Sequence, residues 1–310
     1  MMPKKRLVAK SNYLQPPAAF IAICVLPALI LTTYFTLLPT FEAFAKSFTN
    51  ATKLGLNHVQ WVGLENYTYM FSDKRFVKSL LNSLKLMLVV PPVTLAFSLL
   101  LATVISQSHL REKAFYRTVF FFPSVLSLTV VGIIWSFIFH PTMGLVNHAL
   151  TKIGLSHLTH AWLGDSSSAL WCIAIALVWQ AAGYYMVMHI AAMDSISSEI
   201  YEAATIDGAN VVDKFFRITL PLIKNIIGIT YVLSISGTLA LSYTLSRVMT
   251  NGGPNYSSTV LLQYIYKMGM DNGSFGYAMA MTVFTTVLSI ALSAASRWLT
   301  GRSEKGDVTQ

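Results

Sequence analysis

The sequence predicts an all-α membrane protein with six transmembrane helices and a cytosolic helix-turn-helix loop between the fourth and the fifth helix. Of the 310 residues, 54% are hydrophobic and 11% are charged, whereas soluble domains carry about a quarter charged residues. Several apolar runs reach the roughly 20 residues that a helix needs to cross a bilayer. The net charge of +9 resides at the ends of these runs, which indicates membrane topology rather than a nucleic-acid partner.

The predicted elements follow the alternation of apolar and polar segments along the chain. In order they are a basic cytosolic tail (1–17), the first span (18–39), an extracytoplasmic segment (40–76), the second span (77–106), a cytosolic turn (107–117), the third span (118–139), an extracytoplasmic loop (140–168), the fourth span (169–191), a cytosolic loop (192–219), the fifth span (220–245), an extracytoplasmic loop (246–276), the sixth span (277–299) and a cytosolic tail (300–310).

The first span has an alternative interpretation as a secretory signal peptide, because Ala43-Phe44-Ala45 resembles a cleavage site. The apolar run is longer than the about 7–15 residues of a signal peptide's apolar region, so we expect an uncleaved first span. In the segment 40–76, residues such as Trp61 and Tyr67 favour the interface between membrane and water. This segment is therefore expected along the outer surface.

The second and third spans are separated by the short basic turn 107–117. Pro91 and Pro92 lie inside the second span, and two consecutive prolines predict a break or a bend there. The third span, 118–139, is expected to be one helix. The following loop, 140–168, holds four histidines, but their spacing matches no zinc pattern and no cysteine accompanies them. We predict no metal site.

The interval between the fourth and fifth spans has the signals of two short helices joined by a sharp turn. Ser197 is a good N-cap residue, and Glu199 and Glu202 follow in the first turns, where the helix dipole favours negative charge. Gly208 can supply the left-handed residue that ends the helix. Pro221 lies where the first turn of a new helix tolerates proline.

The topology follows from the span count and from the distribution of basic residues. Six spans place both termini on the same side of the membrane. The short segments assigned to the cytosol carry more lysine and arginine than the longer outer loops, as the positive-inside rule requires. The sequence thus predicts a multi-pass protein of the cell (inner, cytoplasmic) membrane, with both termini and the loop 192–219 in the cytosol.

The polar loop also carries a family resemblance. Glu202-Ala203-Ala204, three residues, Gly208, nine residues and then Ile218-x-Leu220-Pro221 resemble the EAA loop of permease subunits of binding-protein-dependent ABC importers. Thr250-Asn251-Gly252-Gly253-Pro254 is similar to a turn of the carbohydrate importers in the maltose and glycerol-phosphate group. The residues expected to couple this loop to an ATPase are Glu199, Glu202, Ala203, Ala204, Asp207, Gly208, Leu220 and Pro221.

The resemblance implies a transport subunit with no ATPase site of its own, and no Gly-x-x-x-x-Gly-Lys-Ser/Thr motif occurs in the chain. No catalytic residues and no cofactor are expected in this chain. ATP and magnesium would be bound by two cytosolic ATPase subunits. A second homologous permease subunit would complete a heterodimer, and an extracytoplasmic solute-binding protein would deliver the solute. The lipid membrane is the remaining partner.

Polar and aromatic side chains in the fourth and fifth spans are candidates for the solute path. Neutral hydroxyls and amides can pair with sugar hydroxyls, and aromatic rings can stack on sugar faces. In the resembling family the corresponding helices line the path. The alternative is that small polar residues mediate packing between helices. The candidates are Trp179, Gln180, Tyr184, Tyr185, Ser234 and Thr238.

Besides a membrane-embedded enzyme, against which the missing catalytic constellation counts, two further alternatives remain open at the level of function. One is a secondary transporter or channel that works without ATP, although such proteins usually place ionisable groups at mid-membrane depth. The other is an ABC importer for a solute other than a sugar, such as glycerol phosphate. The sequence departs from many members of the family at Tyr243 and Thr244, where phenylalanine and aspartate are common. The identity and size of the solute, the ATPase that is used, and the share of solute contacts made by the partner permease are not determined.

Overall fold

The computed structural model describes residues 18–52, 59–107 and 112–307. The predicted basic tail 1–17, residues 53–58 of the predicted segment 40–76, residues 108–111 of the predicted turn 107–117 and the last three residues lie outside the described residues. Regular structure in the described part is helical, apart from one isolated β-bridge between Thr49 and Trp61. The helices are α1 (Ala18–Thr32, Thr33–Leu37 and Leu38–Lys46, continuous), α2 (Glu65–Ser72), α3 (Lys74–Gln107), α4 (Lys113–Val125), α5 (Leu128–Ile138), α6 (Leu145–Lys152), α7 (Ala169–Asp194), α8 (Ser198–Ile206), α9 (Val211–Lys214, continuing through Phe215–Thr219 and Leu220–Leu222), α10 (Lys224–Met249), α11 (Leu261–Tyr266, continuing through Lys267–Asp271) and α12 (Phe275–Asp307).

The predicted class, an all-α membrane protein, is confirmed. Within the described residues, α1, α3, α7 and α10 are long and apolar enough to cross a membrane, and α4 with α5 would make a fifth crossing if the two form one span. The described apolar stretch of α12, Phe275–Ala291, is shorter. The count of six spans therefore remains a prediction.

The third predicted span, 118–139, is not one continuous helix. The chain is extended at Leu126 and Ser127, whose ψ angles are 144° and 134°, and α4 and α5 meet at 98°. The backbone N–H of Leu126 bonds to the carbonyl of Pro123 instead of to the residue four positions back. The hydropathy of the sequence does not reveal this bend, because α4 and α5 are both apolar. The two helices differ only in the helices against which they pack.

At Pro91 and Pro92, where the sequence predicts a break or a bend, the helix is not broken. The helix α3 is continuous from Lys74 to Gln107. Proline inside a membrane helix is tolerated when neighbouring helices support the chain around the missing hydrogen bonds. Here α3 packs along α7 and α10, with Leu86 and Val90 fully buried beside the prolines.

Several predicted boundaries shift by a few residues. The first helix ends at Lys46 rather than near 39, and α4 begins at Lys113, inside the predicted turn 107–117. The fifth predicted span, 220–245, corresponds to α10 at Lys224–Met249, and its first residues, Leu220–Leu222, belong to the end of α9. The last helix continues to Asp307, into the predicted tail 300–310, and the predicted loop 246–276 contains α11.

The centre of the fold is the packing of α3, α7 and α10. The face of α10 that enters this packing carries a small hydroxyl residue at every fourth position, and all of them are buried: Thr230, Ser234, Thr238, Ser242 and Ser246. Small residues at this spacing let helix backbones approach closely. In contrast, none of the apolar window of α1 is buried within the subunit.

Candidate coupling loop and solute path

The loop after α7 has the local conformation that its sequence predicts. The Ser197 hydroxyl caps α8 by accepting the N–H of Glu199 at 3.3 Å. Gly208 ends the helix with φ of +81°, in the left-handed region that other residues adopt only with strain. A second cap, which the sequence analysis did not identify, starts α9: the Asn210 side chain accepts the N–H of Asp213 at 2.9 Å.

Side-chain hydrogen bonds tie α8 to the segment that leads into α10. The hydroxyl groups of Tyr201 and Thr219 lie 2.9 Å apart, and Thr219 is fully buried. Lys214 donates to the Thr205 hydroxyl at 2.7 Å. Residue types and spacing do not predict these contacts, since only the fold brings Tyr201 close to Thr219. Both hydrogen bonds therefore join α8 to α9, the segment that leads into α10.

The surface of this loop that faces away from the other helices is exposed and partly apolar. Ile206 is 87% exposed, and Val211, Val212 and Phe216 also face outward. Of the predicted coupling residues, Glu199, Glu202, Ala203, Asp207, Gly208 and Pro221 are exposed, whereas Ala204 and Leu220 are half-buried. Pro221 lies in the turn Leu220–Leu222, not in α10 itself. Exposed apolar side chains beside carboxylates are typical of a surface that another protein covers.

Three of the predicted path residues are packed tightly together in this structure. Tyr185, Ser234 and Thr238 are all buried, and the hydroxyl of Tyr185 is hydrogen-bonded to Ser234. They line a cavity of about 20 Å³ between α3, α7 and α10, which has room for about one water molecule. A sugar does not fit between these residues in this conformation.

The other three candidates lie apart from that cavity. Trp179 packs against Trp135 at 5.8 Å between ring centroids. Gln180 is buried, and its Oε1 has no hydrogen-bond partner. Tyr184, one helical turn further along α7, is 48% exposed. The structure therefore does not gather the six candidates into one site.

A buried histidine that the sequence analysis did not single out joins the three central helices. His189 of α7 is fully buried. Its Nδ1 lies 3.1 Å from the hydroxyl of Ser98 on α3, and its Nε2 lies 3.1 Å from the hydroxyl of Thr230 on α10. The signal was available, because His189 lies within the predicted fourth span. Its two hydrogen bonds satisfy both ring nitrogens, so its role is to connect the helices.

At the end of the fold opposite the coupling loop, Asp73 connects α3, α11 and α12. Burial raises the pKa of its carboxyl, but hydrogen bonds from the Tyr264 hydroxyl, the backbone N–H of Arg75 and the Tyr277 hydroxyl outweigh burial and hold the pKa below its ordinary value. A depressed pKa stabilises the fold above the unfolded pKa of about 3.9, and this contribution is lost as the pH falls through the folded value. The connection between α3, α11 and α12 is thus intact near neutral pH.

Taken together, the apolar helices and the capped loop define a membrane-embedded transport subunit. The chain belongs to the family described as "Binding-protein-dependent transport system inner membrane component", which matches residues 61–305. The resemblance found in the sequence is thereby confirmed. Proteins of this class are components of transporters in the cell membrane, and the chain is a permease of the ABC type.

Curated relatives share about a third of their residues with this chain. The "Probable ABC transporter permease protein YurN" of Bacillus subtilis is 35% identical over 271 residues, covering 87% of this chain and 91% of the relative. The "Diacetylchitobiose uptake system permease protein NgcF" of Streptomyces coelicolor is 34% identical over 285 residues, covering 89% and 80%. The "sn-glycerol-3-phosphate transport system permease protein UgpA" of Yersinia pestis is 32% identical over 271 residues, covering 87% and 90%.

A solved structure shares the fold. It is described as a bacterial ABC transporter involved in the import of the acidic polysaccharide alginate, and the matching chain has a TM-score of 0.81 at 23% identity, with 92% of this chain and 96% of that chain covered. At this level of identity the similarity establishes the architecture alone.

Proposed function

We propose that this chain forms half of the translocation path of an ATP-driven importer for a sugar or an oligosaccharide. The observation that carries the proposal is the exposed helix α8, capped by Ser197 and ended by Gly208, which is hydrogen-bonded to Thr219 in the segment that leads into α10. This geometry suits a helix that docks on an ATPase and passes its movement to the membrane helices. ATP and magnesium belong to two cytosolic ATPase subunits in this proposal.

The substrate class in this proposal rests on the relatives. NgcF is named for diacetylchitobiose and UgpA for sn-glycerol-3-phosphate. The first compound is a disaccharide derivative, and the second is a phosphate ester of a polyhydroxylated compound. A sugar or an oligosaccharide is the first candidate. Import of glycerol phosphate is the second, favoured by the similarity to UgpA. In either case an extracytoplasmic solute-binding protein delivers the solute.

A second, homologous permease completes the path in this proposal. The helix α1 buries none of its apolar window in the subunit, and one face of α10 is exposed through Ile229, Leu233, Ser236 and Ala240. The half-exposed Tyr184 on α7 also has no covering helix on one side. A partner subunit that covers these surfaces would enclose a path between the two subunits, which is where alternating access requires it.

We expect opposite accessibility for the loop 192–219 and the loop 140–168. In a background with Cys24→Ser, the exposed residues Ser198 and Ser166 are each replaced by cysteine. A membrane-impermeant maleimide added to intact cells should label Ser166→Cys, and it should label Ser198→Cys only in inverted vesicles. Labelling of both positions from the same face would contradict the six-span topology with cytosolic termini.

Gln180→Ala should lower uptake while making the protein more stable. The Oε1 of Gln180 is buried without a partner, and an unsatisfied buried polar group costs about 1–3 kcal/mol. If the amide serves a solute, its removal reduces uptake about fivefold, corresponding to about 1 kcal/mol of lost hydrogen bonding, and raises the thermal unfolding temperature. Tyr184→Ala should also reduce uptake, through lost stacking area.

The matched control is Trp171→Ala, which truncates another half-exposed aromatic residue of α7. Uptake by this variant should remain close to that of the wild type. ATPase stimulation by the loaded binding protein should be at least partly retained in all three variants. Unchanged uptake and solute preference in both Gln180→Ala and Tyr184→Ala would assign these residues to packing.

A further inference from the structure

A polar cleft lies at the outer end of α10, apart from the coupling loop and from the candidate path residues. Its volume is about 460 Å³, within the range of about 300–1,000 Å³ that is usual for small-molecule sites. We call it the outer tyrosine cleft and define it by Tyr243, Arg247, Tyr256, Tyr266, Lys267 and Asp271. It lies at the opposite end of α10 from the coupling loop.

Two cations in the cleft are held by tyrosines instead of by carboxylates. Arg247 donates from Nη1 to the Tyr243 hydroxyl at 2.6 Å, and its guanidinium lies 4.7 Å from the centre of the Tyr266 ring. Lys267 lies 4.8 Å from the centre of the Tyr256 ring and donates to its hydroxyl at 3.3 Å. Among the described residues, neither cation forms an ion pair.

The charge of the cleft is positive. Arg247 and Lys267 contribute two positive charges, and Asp271 contributes one negative charge on the same lining. Arg75 adds a further positive charge nearby, with its guanidinium 5.0 Å from the centre of the Tyr256 ring. Arg247 is hydrogen-bonded to the side chains of both Tyr243 and Tyr266. A guanidinium carries five N–H donors, so further donors of its planar fork remain to hold a carboxylate or a phosphate.

The remaining surface of the cleft suits the body of a sugar. Three tyrosines provide ring area and hydroxyl groups, and Asn251 and Gln263 of the lining provide amides. Hydroxyls and amides pair with sugar hydroxyls, while aromatic rings accommodate the apolar sugar faces. The lining therefore combines the partners of a polyhydroxylated compound with those of an anion.

We infer that the outer tyrosine cleft binds an anionic sugar, with its carboxylate or phosphate on Arg247 and Lys267 and its ring against the tyrosines. The inference deepens the proposed function and rests on it only for the statement that this ligand is a transported solute. Tyr243 is one of the two positions where the sequence departs from many members of the family. The cleft is thus a place where solute preference can differ between relatives.

The test measures binding to the full-length chain in lipid nanodiscs by titration calorimetry. The probes are trigalacturonate, its fully methyl-esterified form, and glucose 6-phosphate beside glucose. Trigalacturonate should bind about tenfold more tightly than its ester, as expected for charge-assisted hydrogen bonds. If the chain prefers glucose 6-phosphate over glucose but does not prefer trigalacturonate over its ester, the anionic group of the ligand is a phosphate.

The variants Arg247→Gln and Lys267→Gln should each reduce binding of the preferred anionic probe about tenfold and leave binding of its neutral counterpart within twofold. Lys152→Gln is the control, because it removes the same charge from the exposed end of α6, outside the cleft, and it should keep the preference. Equal binding of charged and neutral probes by the wild type would overturn the inference. The inference would also be overturned if no probe showed saturable binding. In that case the cleft would be a contact for an acidic surface of a docking protein.

This binding experiment contains no ATPase and no partner permease. Failure of the proposed function would instead appear as an absence of ATP-dependent uptake by the assembled importer. If the assembled importer is active but Arg247→Gln and Lys267→Gln do not change the preference for anions, only the inference about the cleft is contradicted.

Discussion

Replacing Gly208 with valine is expected to reduce ATP-driven uptake strongly while leaving the membrane helices folded. Gly208 has φ of +81°, and a Cβ at this position would meet no atom within 4 Å. The substitution therefore acts through the backbone, where the left-handed region costs a β-branched residue about 1–2 kcal/mol or more. Relief of this strain re-aims α9 relative to α8. Solute uptake should fall by more than about tenfold, since the coupling of uptake to ATP hydrolysis depends on the precise position of the loop helices.

The chain offers a matched control for this prediction. Gly154, in the loop 140–168, also has φ of +81°, and an added Cβ there would likewise meet no atom within 4 Å. Gly154→Val carries the same local strain at a distance from the coupling loop, so its uptake should stay near the wild-type rate. Gly208→Asn should recover part of the lost uptake, because asparagine tolerates left-handed geometry better than valine does.

Two measurements separate uncoupling from misfolding in these variants. The first is the amount of ATPase that co-purifies with the membrane complex, and the second is the rate of solute uptake into proteoliposomes. Gly208→Val should lose both, with expression and thermal unfolding like those of Gly154→Val. Normal uptake with normal co-purification in Gly208→Val would remove this loop from the mechanism.

The second large effect is expected at Gly183, where alanine should prevent α4 from packing against α7. An added Cβ would overlap the carbonyl oxygen of Phe120 and would lie 2.8 Å from the Cα of Phe121. Backbone atoms cannot rotate away as a flexible side chain can. Overpacking of this kind costs about 1–3 kcal/mol and sometimes more, so the folded yield and the thermal unfolding temperature of Gly183→Ala should both fall.

Gly237→Ala is the control for this second prediction. Gly237 also lies inside an apolar helix, α10, but the nearest atom to an added Cβ is the Tyr185 hydroxyl at 3.8 Å, which is ordinary contact. Its thermal unfolding, monitored by size-exclusion chromatography in detergent, should match the wild type. Equal unfolding temperatures for Gly183→Ala and the wild type would show that α4 is not held against α7 as described.

The coupling loop is the part of the chain whose local structure the sequence predicts best. The cap at Ser197 and the helix end at Gly208 depend on interactions within a few residues, so residue types and their spacing were sufficient. The contact between Tyr201 and Thr219 could not be predicted in the same way. It joins residues 18 positions apart across a turn whose direction depends on the packing of α9.

The solute path was the least predictable feature. Ser234 and Thr238 have the composition of path residues, yet they occupy the packed face of α10. Composition cannot distinguish a hydroxyl that faces a solute from one that lets two helices approach. Likewise, Arg247, Tyr256 and Lys267 lie in segments that the sequence describes only as an outer loop, and the turn between α10 and α11 brings them together.

Residue types and their spacing were enough to predict the membrane class, the family and the local form of the coupling loop, because hydropathy and capping act over short distances along the chain. The packing of distant segments, in contrast, bends the third predicted span by 98°, leaves α3 unbroken at Pro91 and Pro92, and makes His189 a link between three helices. Each of these outcomes depends on which surfaces meet. The free energy of close packing and of buried hydrogen bonds is set by neighbours that are distant in the chain.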